Sequence, residues 1–194
     1  MKNLTLMLLL TALVACAGPG KTVQNIAVYD FGLPAETGQS LVAKVAVDEV
    51  TAADAINHQQ IRYRLNYDNP SRVYSYTESR WAATPAELLT GRLASLIQQD
   101  TKLPACALKL KVEVFDHVFS SPTASAGVVQ LSALLWDKKS RKVVATQAIA
   151  ASEVALTANA QGGTKALALA SENAMLKAVA WANAEVEKNA ACQQ

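Results

Sequence analysis

The chain has 194 residues, with 18 Lys and Arg against 16 Asp and Glu, a formal net charge of +2 and 51% hydrophobic residues. So balanced a charge gives no electrostatic footprint for nucleic acid, and the length suits one domain with a sizeable core. Three cysteines, two histidines and eight glycines provide neither a spaced metal-ligand set nor a phosphate-cradling loop, so no metal and no cofactor are expected.

Met1-Lys2-Asn3 is a positively charged start, Leu4 to Val14 is an apolar run and Ala15 is a small residue, the three parts of a secretory signal. The run falls well short of the roughly 20 residues needed to span a bilayer. The cysteine directly after Ala15 sharpens the reading, because Leu13-Val14-Ala15-Cys16 has the form of a lipobox. The Cys16 thiol would be alkylated by a diacylglycerol and residues 1–15 removed, leaving an acylated first residue that holds the protein stably at a membrane. Ala17, in place of an Asp, favours the outer membrane over the inner one. Gly18-Pro19-Gly20-Lys21-Thr22 is rich in helix and strand breakers, so residues 16–24 read as a tether and 25–194 as a single domain facing the periplasm.

Two thiols remain once Cys16 carries lipid. In an oxidising compartment Cys106 and Cys192 are expected to pair, closing a loop that contributes roughly 4 to 5 kcal/mol in the chain-entropy model. The alternative is a free buried thiol and a frayed tail.

In the domain, Ile26 to Phe31 reads as a first strand ending at Gly32 and Pro34, and Leu41 to Val50 as a second. Residues 52–60 read as a loop. Ile61 to Leu65 and Val73 to Tyr76 flank Asn66-Tyr67-Asp68-Asn69-Pro70-Ser71, whose turn chemistry predicts a hairpin. Thr84-Pro85-Ala86-Glu87 is a helix start with a cap, a proline at the first position and a capping-box glutamate. Leu89, Leu93, Leu96 and Ile97 continue that helix to near Asp100. Leu108 to Val114 is the most regular alternation in the chain, a half-buried strand. Val128 to Trp136 and Val143 to Glu153 come next around a polar turn, predicting an antiparallel meander. A last helix runs from Thr164 to about Asn189, announced by Gly162-Gly163, with Leu169, Leu176, Val179 and Val186 as its principal stripe and Trp181 on another face. This grouping predicts an α+β fold, a mostly antiparallel sheet with both helices packed on one face as a two-layer sandwich.

Catalysis is poorly provisioned, and an enzyme is not expected. His58 reads as a loop residue, and His117, in Phe115-Asp116-His117-Val118-Phe119, as a strand-end histidine with ordinary solvent contact. Asp30-Phe31-Gly32 has the letters of the kinase metal-binding triplet without its companion motifs, and reads as a strand end. The unusual cluster is aromatic and basic: Arg62, Tyr63, Arg64, Tyr67, Arg72, Tyr74, Tyr76, Arg80 and Trp81. Tyr, Trp and Arg dominate binding hot spots, which makes Arg62, Arg64, Tyr74, Tyr76, Arg80, Trp81 and Trp181 a candidate partner interface. The competing assignment is structural, with Tyr63 opposite Tyr74 or Tyr76 stabilising the hairpin.

Taken in order, the lipobox, Tyr29-Asp30-Phe31-Gly32, Leu41-Val42-Ala43-Lys44-Val45-Ala46-Val47, Gln60-Ile61-Arg62-Tyr63-Arg64, Tyr74, Arg80-Trp81-Ala82, Pro85 and Leu88-Leu89-x-x-Arg92-Leu93 resemble the ABC-type transport auxiliary lipoproteins. The likeness covers the first half closely and the second by architecture. It departs between Val50 and Gln60, where the family pattern has a Pro and a Tyr-Leu pair and this chain has Ala53-Asp54-Ala55-Ile56. The resemblance implies a non-enzymatic outer-membrane component whose partners are an MCE-domain protein and its ABC permease and ATPase, assisting lipid transport between membranes, with a homo-oligomer as a docking platform. The alternative is an envelope-assembly lipoprotein that binds only proteins.

Overall fold

The computed structural model describes residues 25–34, 41–100 and 105–193; the lipobox, Cys16 and the tether lie outside them. The described elements are β1 (Ala27–Tyr29), β2 (Leu41–Ala43), β3 (Ala46–Ala52), β4 (Gln60–Leu65), β5 (Asn69–Trp81), α1 (Pro85–Leu96), β6 (Ile97–Gln99), β7 (Cys106–Ser121), β8 (Ala124–Asp137), β9 (Lys142–Val154) and α2 (Ala160–Lys188), followed by a short 3-10 turn at Ala190–Cys192.

The alternating run at Leu108 lies within β7, the strand on which the sheet is assembled. Along one edge β7 pairs antiparallel with β8 from Cys106↔Asp137 to Ser121↔Ala124, and β8 pairs in turn with β9. Its other edge is divided: β3 runs parallel to it from Ala46↔Ala107 to Ala52↔Val112, and β4 takes over at Tyr63↔His117. The full order is β1-β5-β4-β7-β8-β9 with β3 beside β7, seven strands in all. Antiparallel pairing dominates by length, while β1 on β5, β3 on β7 and β4 on β7 add parallel pairs. Both helices cover one face, and Leu89 and Leu93 of α1 share a core with Leu108, Leu110, Leu131, Leu135, Leu167 and Met175. The fold is the α+β two-layer sandwich that the pattern predicts.

Local details differ. The predicted strand Leu41 to Val50 is two strands, because the chain leaves a separate two-stranded sheet, β2 with β6, and enters the main one at Ala46. At the crossing, Asn183 of α2 acts as a strand would: its Nδ2 donates to Val42 O and its Oδ1 accepts from Lys44 N, both at 2.8 Å. The same pairing ends α1 at Leu96, short of the predicted Asp100, since Ile97 to Gln99 turn extended to meet β2 and Asp100 N donates to Ala43 O. At the start of α1, the Glu87 carboxylate accepts from Thr84 N at 2.9 Å and from Thr84 Oγ1 at 2.8 Å, bonds that hold its pKa below the usual carboxylate value.

Helix α2 begins at Ala160, earlier than predicted, with the Asn159 side chain accepting from Gly162 N at 3.0 Å. Gly162 and Gly163 lie inside it and serve close packing. A Cβ on Gly163 would lie 2.3 Å from the His117 ring, and one on Gly127 of β8 would lie 2.4 Å from Leu167 N. The buried stripe of α2 is mostly small, with Ala166, Ala170, Ala174, Ala178 and Ala182 between Leu167, Met175 and Val179. Leu169, predicted in the stripe, is 53% exposed.

The far end of α2 is fixed covalently. Cys106, the first residue of β7, is joined to Cys192 by a disulfide with Cα atoms 5.0 Å apart, and both are buried. Replacing Cys192 with Ser is expected to cost about 2–5 kcal/mol. Urea unfolding with and without reductant checks this: the wild type should lose that much on reduction, and the variant should be insensitive to it.

Candidate functional site

The chemistry-bearing residues gather where β7 changes face. From Cys106 to Val112 the even-numbered side chains enter the core, but Val112 pairs with Leu131 and Val114 with Gln130, so Glu113 is an extra residue. This bulge inverts the alternation. Beyond it Phe115, His117 and Phe119 point to the helices, and Asp116 points to the opposite face of the sheet.

On that opposite face, Asp116 is held between two arginines of β4. Arg62 Nε donates to its Oδ1 at 2.9 Å and Arg64 Nε to its Oδ2 at 2.6 Å. The arginines are fixed in turn, since Arg62 Nη1 donates to Ala55 O at 2.7 Å and Arg64 Nη1 to Pro70 O at 3.2 Å. The Asp116 side chain is only 1% exposed, against 11% for Arg62 and 25% for Arg64. Removing either arginine would leave buried charge without its partner.

On the helix face stands an aromatic ladder. Tyr63 and Tyr74 are register partners with stacked rings 5.1 Å apart, and Tyr76 and Phe119 lie 4.7 and 5.9 Å from Tyr63. Tyr76 Oη and His117 Nδ1 are hydrogen-bonded at 3.0 Å. Burial raises the Tyr76 pKa far above its ordinary value, and it lowers that of His117 from 6.5 to about 4. His117 is thus an interior residue, fully buried beneath Gly163, where a solvent-contacting strand end was expected. The reason is the Glu113 bulge, which lengthens β7 and turns the ring inward.

A third cluster joins the motif residues of the first half. Trp81 at the end of β5 packs edge-on to Phe31 at 5.9 Å and against Phe115 at 5.4 Å, and Ala82 N donates to Tyr29 O. Arg92 of α1, its side chain 5% exposed, donates through Nη2 to the carbonyls of Phe31 and Gly32, while Nη1 pairs with Glu172 of α2 at 3.2 Å. Gly32 has φ +70 and its N–H donates to Asp30 Oδ1 at 2.8 Å, so Asp30-Phe31-Gly32 is a strand-end turn. One buried guanidinium therefore ties β1, α1 and α2 together.

The residues of the predicted interface are dispersed. Trp81 is 1% exposed and is removed from any surface, because Phe31, Phe115 and the β1 turn enclose it. Arg62 and Arg64 are bound to Asp116, and Tyr74 and Tyr76 belong to the ring ladder. Arg80 is exposed, opposite Gln60. Trp181 lies half-buried on α2 against the core, apart from the others. His58 is a loop residue, hydrogen-bonded to Ala55 O and Gln60 N. Sequence reading missed Asp116 as the partner of both arginines and the Arg92 junction; the signal available was the change of alternation at Glu113.

No family model matches the chain, and no curated protein matches it. Among solved structures, a Xanthomonas campestris protein described as DUF330 superposes with a TM-score of 0.67 over 84% of this chain and 98% of that one, at 17% identity. Another, described as an uncharacterized protein, superposes with a TM-score of 0.55 over 82% and 98%, at 14% identity. At these identities the likeness is one of fold.

Asp116→Ala leaves two crowded arginines without their counter-charge and is expected to cost about 3–5 kcal/mol in urea unfolding, well above the cost of Arg80→Ala on the surface. Because His117 stays neutral in the folded protein down to about pH 4, the unfolded chain binds the extra proton below 6.5. Stability should therefore fall by about 2 kcal/mol between pH 7 and pH 5. Comparison of unfolding midpoints should show that fall reduced in His117→Gln.

Proposed function

We propose that this chain is a non-enzymatic lipoprotein, held by Cys16 to the outer membrane with its domain in the periplasm. There it docks on the MCE-domain component of an ABC-type system and assists lipid transport between the membranes. The observation that carries the envelope placement is the Cys106–Cys192 disulfide. Once the lipobox claims Cys16, it uses both remaining thiols, and such bonds persist in oxidising compartments. No helix among the described residues is long and apolar enough to cross a membrane, and the attachment proposed is the acylated cysteine.

The transport role rests on the family resemblance. Support comes from where its motif residues lie: Tyr29 to Gly32, Arg80-Trp81-Ala82 and Arg92 are far apart in sequence and form one junction. A chance collection of similar letters would have no reason to converge. The exposed remainder of the aromatic and basic group, Arg80 with Arg72 stacked over Tyr74 at 4.6 Å, offers a partner the cation and ring chemistry of a hot spot. A homo-oligomer would match the valency of a ring-forming partner.

The test is crosslinking in cells followed by capture of the tagged lipoprotein. An MCE-domain protein should be enriched with the wild type. Good recovery of bait without it would overturn the transport role and leave an envelope-assembly lipoprotein. Cys16→Ser should move the protein from the outer-membrane fraction to the soluble periplasm without changing its unfolding midpoint.

A further inference from the structure

Four large apolar side chains around the start of α2 are left in solvent: Leu156 at 92% exposure, Val154 at 79%, Leu169 at 53% and Val28 at 52%. Two grooves flank this part of the helix. One, of about 280 Å³, is lined by Val154, Leu156 and Leu169; the other, of about 360 Å³, runs to Val28 and Asp30 after crossing Thr164 and Ala168. Both are bordered by Gln161 and Lys165. The exposed apolar side chains therefore lie on both sides of a Gln161–Lys165 ridge on the outer side of α2, Val154, Leu156 and Leu169 on the side of β9 and Val28 on the side of β1. Gln161, Lys165 and Leu169 recur at four-residue spacing on one exposed stripe of the helix.

We propose that this end of the domain rests on the phospholipid surface that holds Cys16, an inference that depends on the proposed lipid anchor. The place where the tether joins the fold selects the bilayer as occupant. The described structure begins at Asn25, three residues before Val28, which lines the second groove. Residues 16–24 reach at most about 32 Å even when fully extended. A bilayer kept within that distance is present at high effective concentration, and any other occupant has to displace it. The chemistry matches as well: Leu156, Val154 and Leu169 can enter the acyl boundary while Lys165 extends its ammonium to the phosphates. Exposed apolar patches of this kind mark interaction surfaces.

The test places a photoreactive benzoyl-phenylalanine at Leu156, at Leu169, or as a control at Arg141, in the turn at the opposite end of β9. The mature lipidated protein is reconstituted on vesicles of phosphatidylethanolamine and phosphatidylglycerol, irradiated, and analysed by mass. Phospholipid adducts at 156 and 169 at least tenfold above those at 141 are expected. Adducts equal to the control, or adducts only to a second copy of the protein, would overturn the surface. Flotation of the wild type with the vesicles reads the anchor separately. Protein that floats without lipid adducts at 156 and 169 rejects this surface alone, and protein that fails to float rejects the anchor and the surface together.

Discussion

Over its first turns α2 touches the sheet with almost no side chain between. Gly163 lies against the His117 ring, and Gly127 of β8 lies under the backbone of Leu167. Helices that approach so closely need small residues at the contact, which accounts for the alanines of the stripe better than helix propensity does. From this contact the helix runs the length of the sheet to the disulfide at Cys106. Fixed at both ends, it can position other parts. Asn183 holds the backbone of β2, and Glu172 holds Arg92, hence α1 and the β1 turn. Each of these parts also has its own attachment, β2 to β6, β1 to β5 and α1 to the core, so α2 sets their relative positions rather than holding them alone.

The bulge at Glu113 has a related consequence. By inverting the alternation it decides which face each of two adjacent polar residues takes, Asp116 that of the arginines and His117 that of Tyr76. Each is held there by its partners, and each fixes the register of β4 against β7, since a one-residue slip would exchange the charged and aromatic faces of β4. The parallel β4–β7 pairing is short, running from Tyr63↔His117 to Leu65↔Phe119. Its specificity therefore comes from side chains. The Arg/Tyr cluster, which has the composition of a binding surface, is in large part the device that joins the hairpin to the rest of the sheet.

The parts of the fold legible in the sequence were those whose pattern is local. The meander β7–β8–β9, the hairpin, the capped start of α1 and the cysteine pair each come from nearest-neighbour chemistry or from counting. What was not legible depends on contacts between distant segments. Nothing in Leu41 to Val50 marks the change of sheet, because Asn183, which satisfies the backbone there, is remote in sequence. Gly162-Gly163 reads as a breaker until His117 is seen beneath it. Arg62 and Arg64 look like free surface cations because their partner Asp116 is 54 and 52 residues away in sequence. The proposed lipobox is the opposite case: a signal of that kind would be read as linear sequence, independently of the fold.

These features orient the proposed function. The chain enters the fold beside the apolar end of α2, while the turn after β8 lies at the other end of β9, whose 13 residues span about 40 Å. A domain resting on the membrane by its apolar end would hold the disulfide and that turn farthest into the periplasm. The sheet face opposite the helices would stand roughly upright between the two, bearing Lys109 over the Trp136 ring at 5.0 Å and the covered Asp116 clamp. A partner approaching across the periplasm would then first meet the end tied by the disulfide rather than the tether. Rigidity matters for such a component, because a docking platform contributes most when its binding surface needs no ordering on association.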